Sequence, residues 1–220
     1  MARILVTKKY SRNSLLKKWC DTNDKELICR PFITTKASEQ IEIKETDWIF
    51  FSSPRGVKHF LENYSIENQK IAALSLGTAE AVKHYGYACD FVGNPDLETT
   101  DIGLAFRDMV LGDSVLFPIS NRSLHRVQSV FEIDQIHNCV VYHTTPLQLN
   151  IPENIAVAIV TSPSNAEGLI LSGISDKTFM IAFGKSTEAY LKKHWDLAKI
   201  RVTEAYTDAA IIQQLEAHLD

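Results

Sequence analysis

The stretch Asp47–Phe60, DWIFFSSPRGVKHF, holds the end of a strand, a corner and the start of a helix, and it happens again at Ala156–Leu169, AVAIVTSPSNAEGL. Trp48 to Phe51 is an apolar run long enough for a buried strand and too short for a helix. Ser53 then supplies a favoured N-cap, and Pro54 occupies the first helical position, where its missing N–H costs nothing. Val57, Phe60 and Leu61 follow at i, i+3 and i+4, which predicts one apolar stripe against a sheet. Ser162 and Pro163 stand in the same corner of the second copy, and Pro54 and Pro163 lie 109 residues apart.

The next segments keep that offset: Thr78 in KIAALSLGTAEAV and Thr187 in FMIAFGKSTEAYL are also 109 apart. A duplication is the simplest reading. Further on, Thr100-Asp101 and Thr207-Asp208 read as polar caps opening IGLAFRDMV and AAIIQQLEAHL. The last unit of the first copy, VLFPISNRSLHRVQSVF (Val115–Phe131), finds its match at the N-terminus, in ILVTKKYSRNSLLKKW (Ile4–Trp19). The second copy is therefore circularly permuted, with its last strand-helix unit supplied by the start of the chain.

That arrangement predicts a discontinuous domain from residues 1–30 and 152–220, a second domain from 40–136 inserted in it, and crossings at 31–39 and 137–151. The crossings lie within ELICRPFITTK, read as one long strand, and HNCVVYHTTPLQL, and they can pair as a two-stranded β linker. Strands alternating with helices imply parallel sheets wound by right-handed crossovers. The expected fold class is α/β: two flavodoxin-like domains, with a cleft between them.

With 23 Lys and Arg against 27 Asp and Glu, the net charge of −4 argues against a nucleic-acid partner. The N-terminus MARILVTKK is too short an apolar stretch for a secretory signal, and nowhere do about eighteen apolar residues run together, so no membrane association is expected. The reading is a cytoplasmic protein. Cys20, Cys29, Cys89 and Cys139 are scattered without CxxC spacing, which favours reduced thiols over disulfides or metal ligation.

In such sheets ligands sit beyond the carboxyl ends of the strands. There the sequence places Ser52, Ser53, Thr78, Thr100, Ser162, Ser164, Ser186 and Thr187. Helix N-termini carry unpaired N–H groups and a partial positive charge, which suits a ligand bearing several carboxylates or phosphates. Each hydroxyl taken alone reads first as a helix cap and nothing more. No GxSxG, GxGxxG or HExxH is present, and the histidines show no ligand spacing. Gly184-Lys185-Ser186 resembles the end of a phosphate loop, but that motif needs a glycine where Phe179 stands. From the residues alone the chain is a two-domain binder of an anionic small molecule.

The order of its motifs resembles the uroporphyrinogen-III synthase family: ILVTK at the start, Pro31-Phe32-Ile33 in the first crossing, IFFSSPRGV, the Thr78-Ala79 turn, VVYHT with Tyr142 in the return crossing, IVTSPSN, and AFGKST with Thr187. The permuted two-domain arrangement is similar to that family's fold. Lys8 stands where Arg is common there, Ser75 where Gly is usual, and Glu188 where Ala is usual.

The resemblance implies a monomer acting without cofactor or metal on hydroxymethylbilane. That linear tetrapyrrole loses its hydroxyl as water to leave an azafulvene on the first ring. The last ring attacks through its substituted carbon, and the resulting spiro-pyrrolenine fragments and recloses with that ring inverted. Unassisted closure gives the uninverted isomer, so catalysis is by orientation and hydrogen bonding. The resemblance makes Tyr142 the residue that hydrogen-bonds or protonates the leaving hydroxyl, Thr78 and Thr187 the principal substrate-binding residues, and Ser53, Ser162, Ser164 and Ser186 further contacts. Two other classes share the fold: a non-catalytic two-lobed anion-binding or regulatory module, and a nucleotide-sugar transferase, for which no acidic residue is placed to hold a ribose.

Overall fold

The computed structural model describes residues 2–39, 41–203, 205 and 207–219. Along the chain run β1 (Ala2–Val6), α1 (Leu15–Thr22), β2 (Lys25–Cys29), β3 (Ile33–Ala37), β4 (Trp48–Phe51), α2 (Pro54–Leu61), β5 (Lys70–Ala73), α3 (Leu76–His84) and β6 (Phe91–Val92). There follow α4 (Thr99–Val110), β7 (Val115–Ser120), β8 (Ile136–Pro146), β9 (Ile155–Val160), α5 (Pro163–Leu171), β10 (Phe179–Phe183), α6 (Gly184–Leu191), β11 (Ile200–Thr203) and α7 (Asp208–Leu219).

Two compact units result, one made of Met1–Thr34 and Thr145–Asp220, the other of Thr35–Thr144. The first holds a five-stranded sheet in the order β11-β10-β9-β1-β2, the second a six-stranded sheet in the order β3-β8-β7-β4-β5-β6. β1 pairs in parallel with β2 and β9, and β4 pairs in parallel with β5 and β7. Setting β4 against β9, β5 against β10, β6 against β11, β7 against β1 and β8 against β2 makes the five-stranded order match that of the second sheet, which adds β3 at its edge beside β8. That is the topology of a duplication whose second copy takes its last units from the start of the chain.

Alternation along buried parallel strands feeds both faces of each sheet. In the first unit Leu5, Ala158 and Met180 enter one core cluster, while Ile4, Val6, Ile159 and Ile181 enter the other. In the second, Ile49 and Phe51 face a cluster with Val57 and Phe60 of α2, whereas Phe50 meets Phe106 and Phe117 on the opposite face.

Both Ser-Pro corners form as the spacing predicts. Ser53 caps α2 through Gly56 N–H, Ser162 caps α5 through Asn165 N–H, and each helix begins at its proline. Three local expectations are corrected. α4 opens one residue before Thr100, with Glu98 in the cap position, so Thr100 is an exposed helical residue and no cap. α3 is capped by Ser75, three residues before Thr78. Glu26–Lys36 is two strands, because Pro31 lacks the N–H a continuous ladder needs. The two crossings pair as expected, with β3 beside β8, and because β8 also pairs with β7 that ribbon continues the second sheet at its edge. No described helix is long and apolar enough to cross a membrane.

Candidate functional site

In the second sheet the chain leaves β4 toward β5 and β6 on one side, then returns through β7 to β8 on the other. The strand order therefore reverses between β4 and β7, and in the first sheet between β1 and β9. Ligands of doubly wound sheets bind outside the carboxyl ends of the strands at such reversals. Both places are lined with hydroxyls.

In the second unit these are Ser52 and Ser53 after β4 and Ser120 with Asn121 at the end of β7. The β7–β8 register shifts between Ile119 and Ser120, so Ile119 faces Val140 but Ser120 faces Tyr142. A bulge of this kind re-aims side chains. Strict alternation would put Tyr142 on the face opposite Cys139 and Val141, yet all three pack in one cluster with Val57 and Phe60. The Tyr142 hydroxyl comes to 3.5 Å from Ser53 Oγ. Ser53 Oγ already accepts from Gly56 N–H at 3.1 Å, so its own proton is free to point along that axis. Downstream, Ser120 Oγ and Thr144 Oγ1 are 3.0 Å apart, and Asn121 Oδ1 accepts from Thr144 N–H at 2.9 Å.

Two residues that no sequence motif marks complete this corner. The His59 ring stacks on Tyr142, with centroids 4.8 Å apart and planes 18° apart, and its Nε2 lies 3.1 Å from Thr35 Oγ1. Burial holds the imidazole below the usual histidine range. The stripe expected at Val57, Phe60 and Leu61 is turned slightly: His59 is buried and Leu61 only half-buried.

In the first unit Thr7 follows β1 and Thr161 follows β9, with their hydroxyls 3.1 Å apart and Thr161 N–H donating to Thr7 Oγ1 at 2.9 Å. Ser162 Oγ accepts from both the backbone and the side-chain amide of Asn165. The buried Asn165 also receives Phe32 N–H on its Oδ1 at 2.9 Å, which ties α5 to the segment entering β3. Lys8, just after β1, sets a cation over two aromatic faces, its Nζ 4.4 Å from the Tyr10 ring centroid and 5.2 Å from that of Phe183. Burial lowers the ammonium's pKa, and nearby Asp208 opposes that shift.

Thr78 and Thr187, the threonines at the repeat offset, both lie in first helical turns and are both 1 % exposed. Thr78 Oγ1 is 3.1 Å from the capping Ser75 Oγ. α6 begins immediately after β10, at Gly184 with φ +73°, and its N-cap position is Phe183, which has no side chain able to cap. Ser164 and Ser186 are half-buried in the first turns of α5 and α6. Among the described residues no group of three or more His, Cys, Asp or Glu side chains is placed to hold a metal ion.

A model of the family described as uroporphyrinogen-III synthase HemD matches residues 16–213. No curated protein matches the chain by sequence. Among solved structures, the uroporphyrinogen-III synthetase of Helicobacter pylori is similar at TM-score 0.72 and 14% identity, over 99% of each chain. A mutant uroporphyrinogen III synthase of Thermus thermophilus is similar at TM-score 0.58 and 13% identity, over 100% of this chain and 99% of that one. At such identities these structures establish the shared fold, while the family model spans most of the sequence. With the permuted pair of parallel sheets and hydroxyl-lined strand ends, that match places the chain in the uroporphyrinogen-III synthase family of tetrapyrrole-synthesis enzymes.

Proposed function

We propose that this chain closes hydroxymethylbilane to uroporphyrinogen III as a cofactor-independent carbon–oxygen lyase, with Tyr142 acting on the leaving hydroxyl. The observation that carries the assignment of Tyr142 is its hydroxyl pairing with Ser53 at the N-terminus of α2, beyond the carboxyl end of β4. As the C–O bond breaks, the departing oxygen gains negative charge. A phenol that donates a hydrogen bond or a proton lowers that barrier, and the positive end of a helix favours the charge further. The electron pair that replaces the bond comes from the pyrrole nitrogen, whose N–H proton then restores the phenol, so the balance is loss of one water. Ring inversion follows from holding the last ring with its substituted carbon toward the azafulvene, which is a matter of orientation.

Thr78 and Thr187 serve the substrate through the turns they build. Both are buried, and Thr78 has its hydroxyl engaged by Ser75. In this reading their helix ends present backbone N–H groups to carboxylates. Ser162, Ser164 and Ser186 add hydroxyl contacts, with Ser162 doubling as the cap of α5.

The test is incubation with hydroxymethylbilane, followed by oxidation and separation of the porphyrin isomers. The inverted isomer in large excess supports the proposal. Formation of the uninverted isomer alone, at the rate seen without protein, contradicts it.

A further inference from the structure

His59 makes an unusual set of contacts for a helical core position. Its side chain is 8 % exposed, its ring lies nearly parallel to that of Tyr142, and Nε2 is fixed by Thr35 Oγ1. Its other nitrogen, Nδ1, is buried and has no hydrogen-bond partner. Leaving a buried polar atom unpaired is costly, and a leucine or phenylalanine would fill the same space without that cost. In the second copy the position 109 residues on is Gly168, which lies against the backbone carbonyls of Phe32 and Leu147. At the equivalent point of each repeat, then, a helix meets chain flanking or forming β3 and β8, and only in the second unit does it do so with an aromatic ring.

We propose that His59 is a positioning residue for Tyr142: the stacked imidazole, anchored by Thr35, fixes the plane of the phenol and the direction of its hydroxyl. This rests on the role proposed above for Tyr142. A tyrosine on a strand retains several side-chain rotamers, and a reacting hydroxyl displaced by about 1 Å loses much of its effect. Offset stacking against a ring that is itself hydrogen-bonded removes that freedom. Held neutral by burial, the imidazole adds no charge beside a phenol that must keep its proton until the hydroxyl leaves.

The test is a double-mutant cycle with hydroxymethylbilane as substrate, reading kcat and KM separately. His59→Leu keeps the buried volume and removes the flat ring, whereas His59→Phe keeps the ring and removes both nitrogens. His59→Leu is expected to lower kcat about tenfold with KM changed less than about twofold, and His59→Phe to recover to within about threefold of the parent. Thr35→Val, which removes only the anchor, is expected to lower kcat about threefold, and it reads the same contact should the position 59 variants fail to fold. In a Tyr142→Phe background these substitutions should cost nothing further. Equal losses in both backgrounds, an unchanged kcat in His59→Leu or Thr35→Val, or a loss confined to KM would overturn the inference. A Tyr142→Phe protein with full rate would instead remove the reading of Tyr142; a slow His59→Leu beside it would show that the histidine does not act through that hydroxyl.

Discussion

A side-chain carbon at Gly168 would stand 2.2 Å from the carbonyl oxygen of Phe32, and 3.0 Å from that of Leu147. Phe32 O already accepts from Leu147 N–H at 2.8 Å, so α5 rests on a hydrogen-bonded pair of segments, one entering β3 and one leaving β8. The Phe32 carbonyl cannot turn away without breaking that bond. Gly168→Ala should therefore destabilise the protein by roughly 1–3 kcal/mol, outweighing the gain of about 1 kcal/mol that alanine brings to a helix. Gly77 in α3 has nothing within 4 Å of the same atom, and Gly77→Ala should be neutral or stabilising. Urea midpoints with unchanged slope measure both changes; equal midpoints for the two variants would show that the Phe32 contact yields freely.

Much of this fold was legible because each level of the sequence agreed with the next. Trp48–Phe51 is β4 to the residue, and Ser53-Pro54 and Ser162-Pro163 start α2 and α5. The 109-residue offset exposed the permutation because helices and strands repeat in step. What could not be read were relationships that depend on register. The bulge opposite Ser120 decides which face Tyr142 takes, and no local residue pattern announces it. His59 reads locally as a solvated position between Val57 and Phe60, since only the partners Thr35 and Tyr142, distant in sequence, make it a core residue. Thr78 was legible as special but not as buried: the cap belongs to Ser75, an exposed residue whose hydroxyl meets that of Thr78.

The unit made of Met1–Thr34 and Thr145–Asp220 should open as one cooperative unit. Ile4 and Val157 are register partners in the first sheet, and Leu5 and Ile4 lie in its two core clusters. Native-state hydrogen exchange should give β1 and β9 amides a common opening free energy, distinct from that of β4 and β5. Amides of β1 that open together with β4 while β9 stays protected would contradict the permuted domain.

Stability should fall on mild acidification. Desolvation depresses the pKa of both the buried His59 and His218, an exposed residue whose ring is stacked on Phe179 and which Arg201 lowers further, while nearby Glu62 partly opposes the shift at His59. Unfolded, each histidine titrates near 6.5. Between that value and the lower folded one, the unfolded chain binds protons that the folded chain does not. The stability these residues contribute is thus full above about pH 6.5 and is lost as pH falls through the folded pKa values. Asp47, whose carboxylate is held low by hydrogen bonds from Ser114, enters only below about pH 4. Urea midpoints from pH 8 to pH 5 should decline, and less steeply in His59→Phe and His218→Gln; a midpoint that rises toward pH 5 would reverse the assigned sign.

The central claim is that the Tyr142 hydroxyl acts on the bond that breaks, and Tyr142→Phe tests it most directly because it keeps the ring that stacks on His59 and removes one oxygen. Its stability should stay close to that of the parent, since the bond to Ser53 is long, at 3.5 Å. Single-turnover rates with hydroxymethylbilane should fall by one to three orders of magnitude, about 1.4–4 kcal/mol of transition-state stabilisation. Substrate escaping the slowed step should close unassisted, so the product should shift toward the uninverted isomer, and by more than in Thr78→Ala or Thr187→Ala. A folded Tyr142→Phe protein with the parent's rate and isomer ratio would contradict the claim and leave Tyr142 a packing residue on β8.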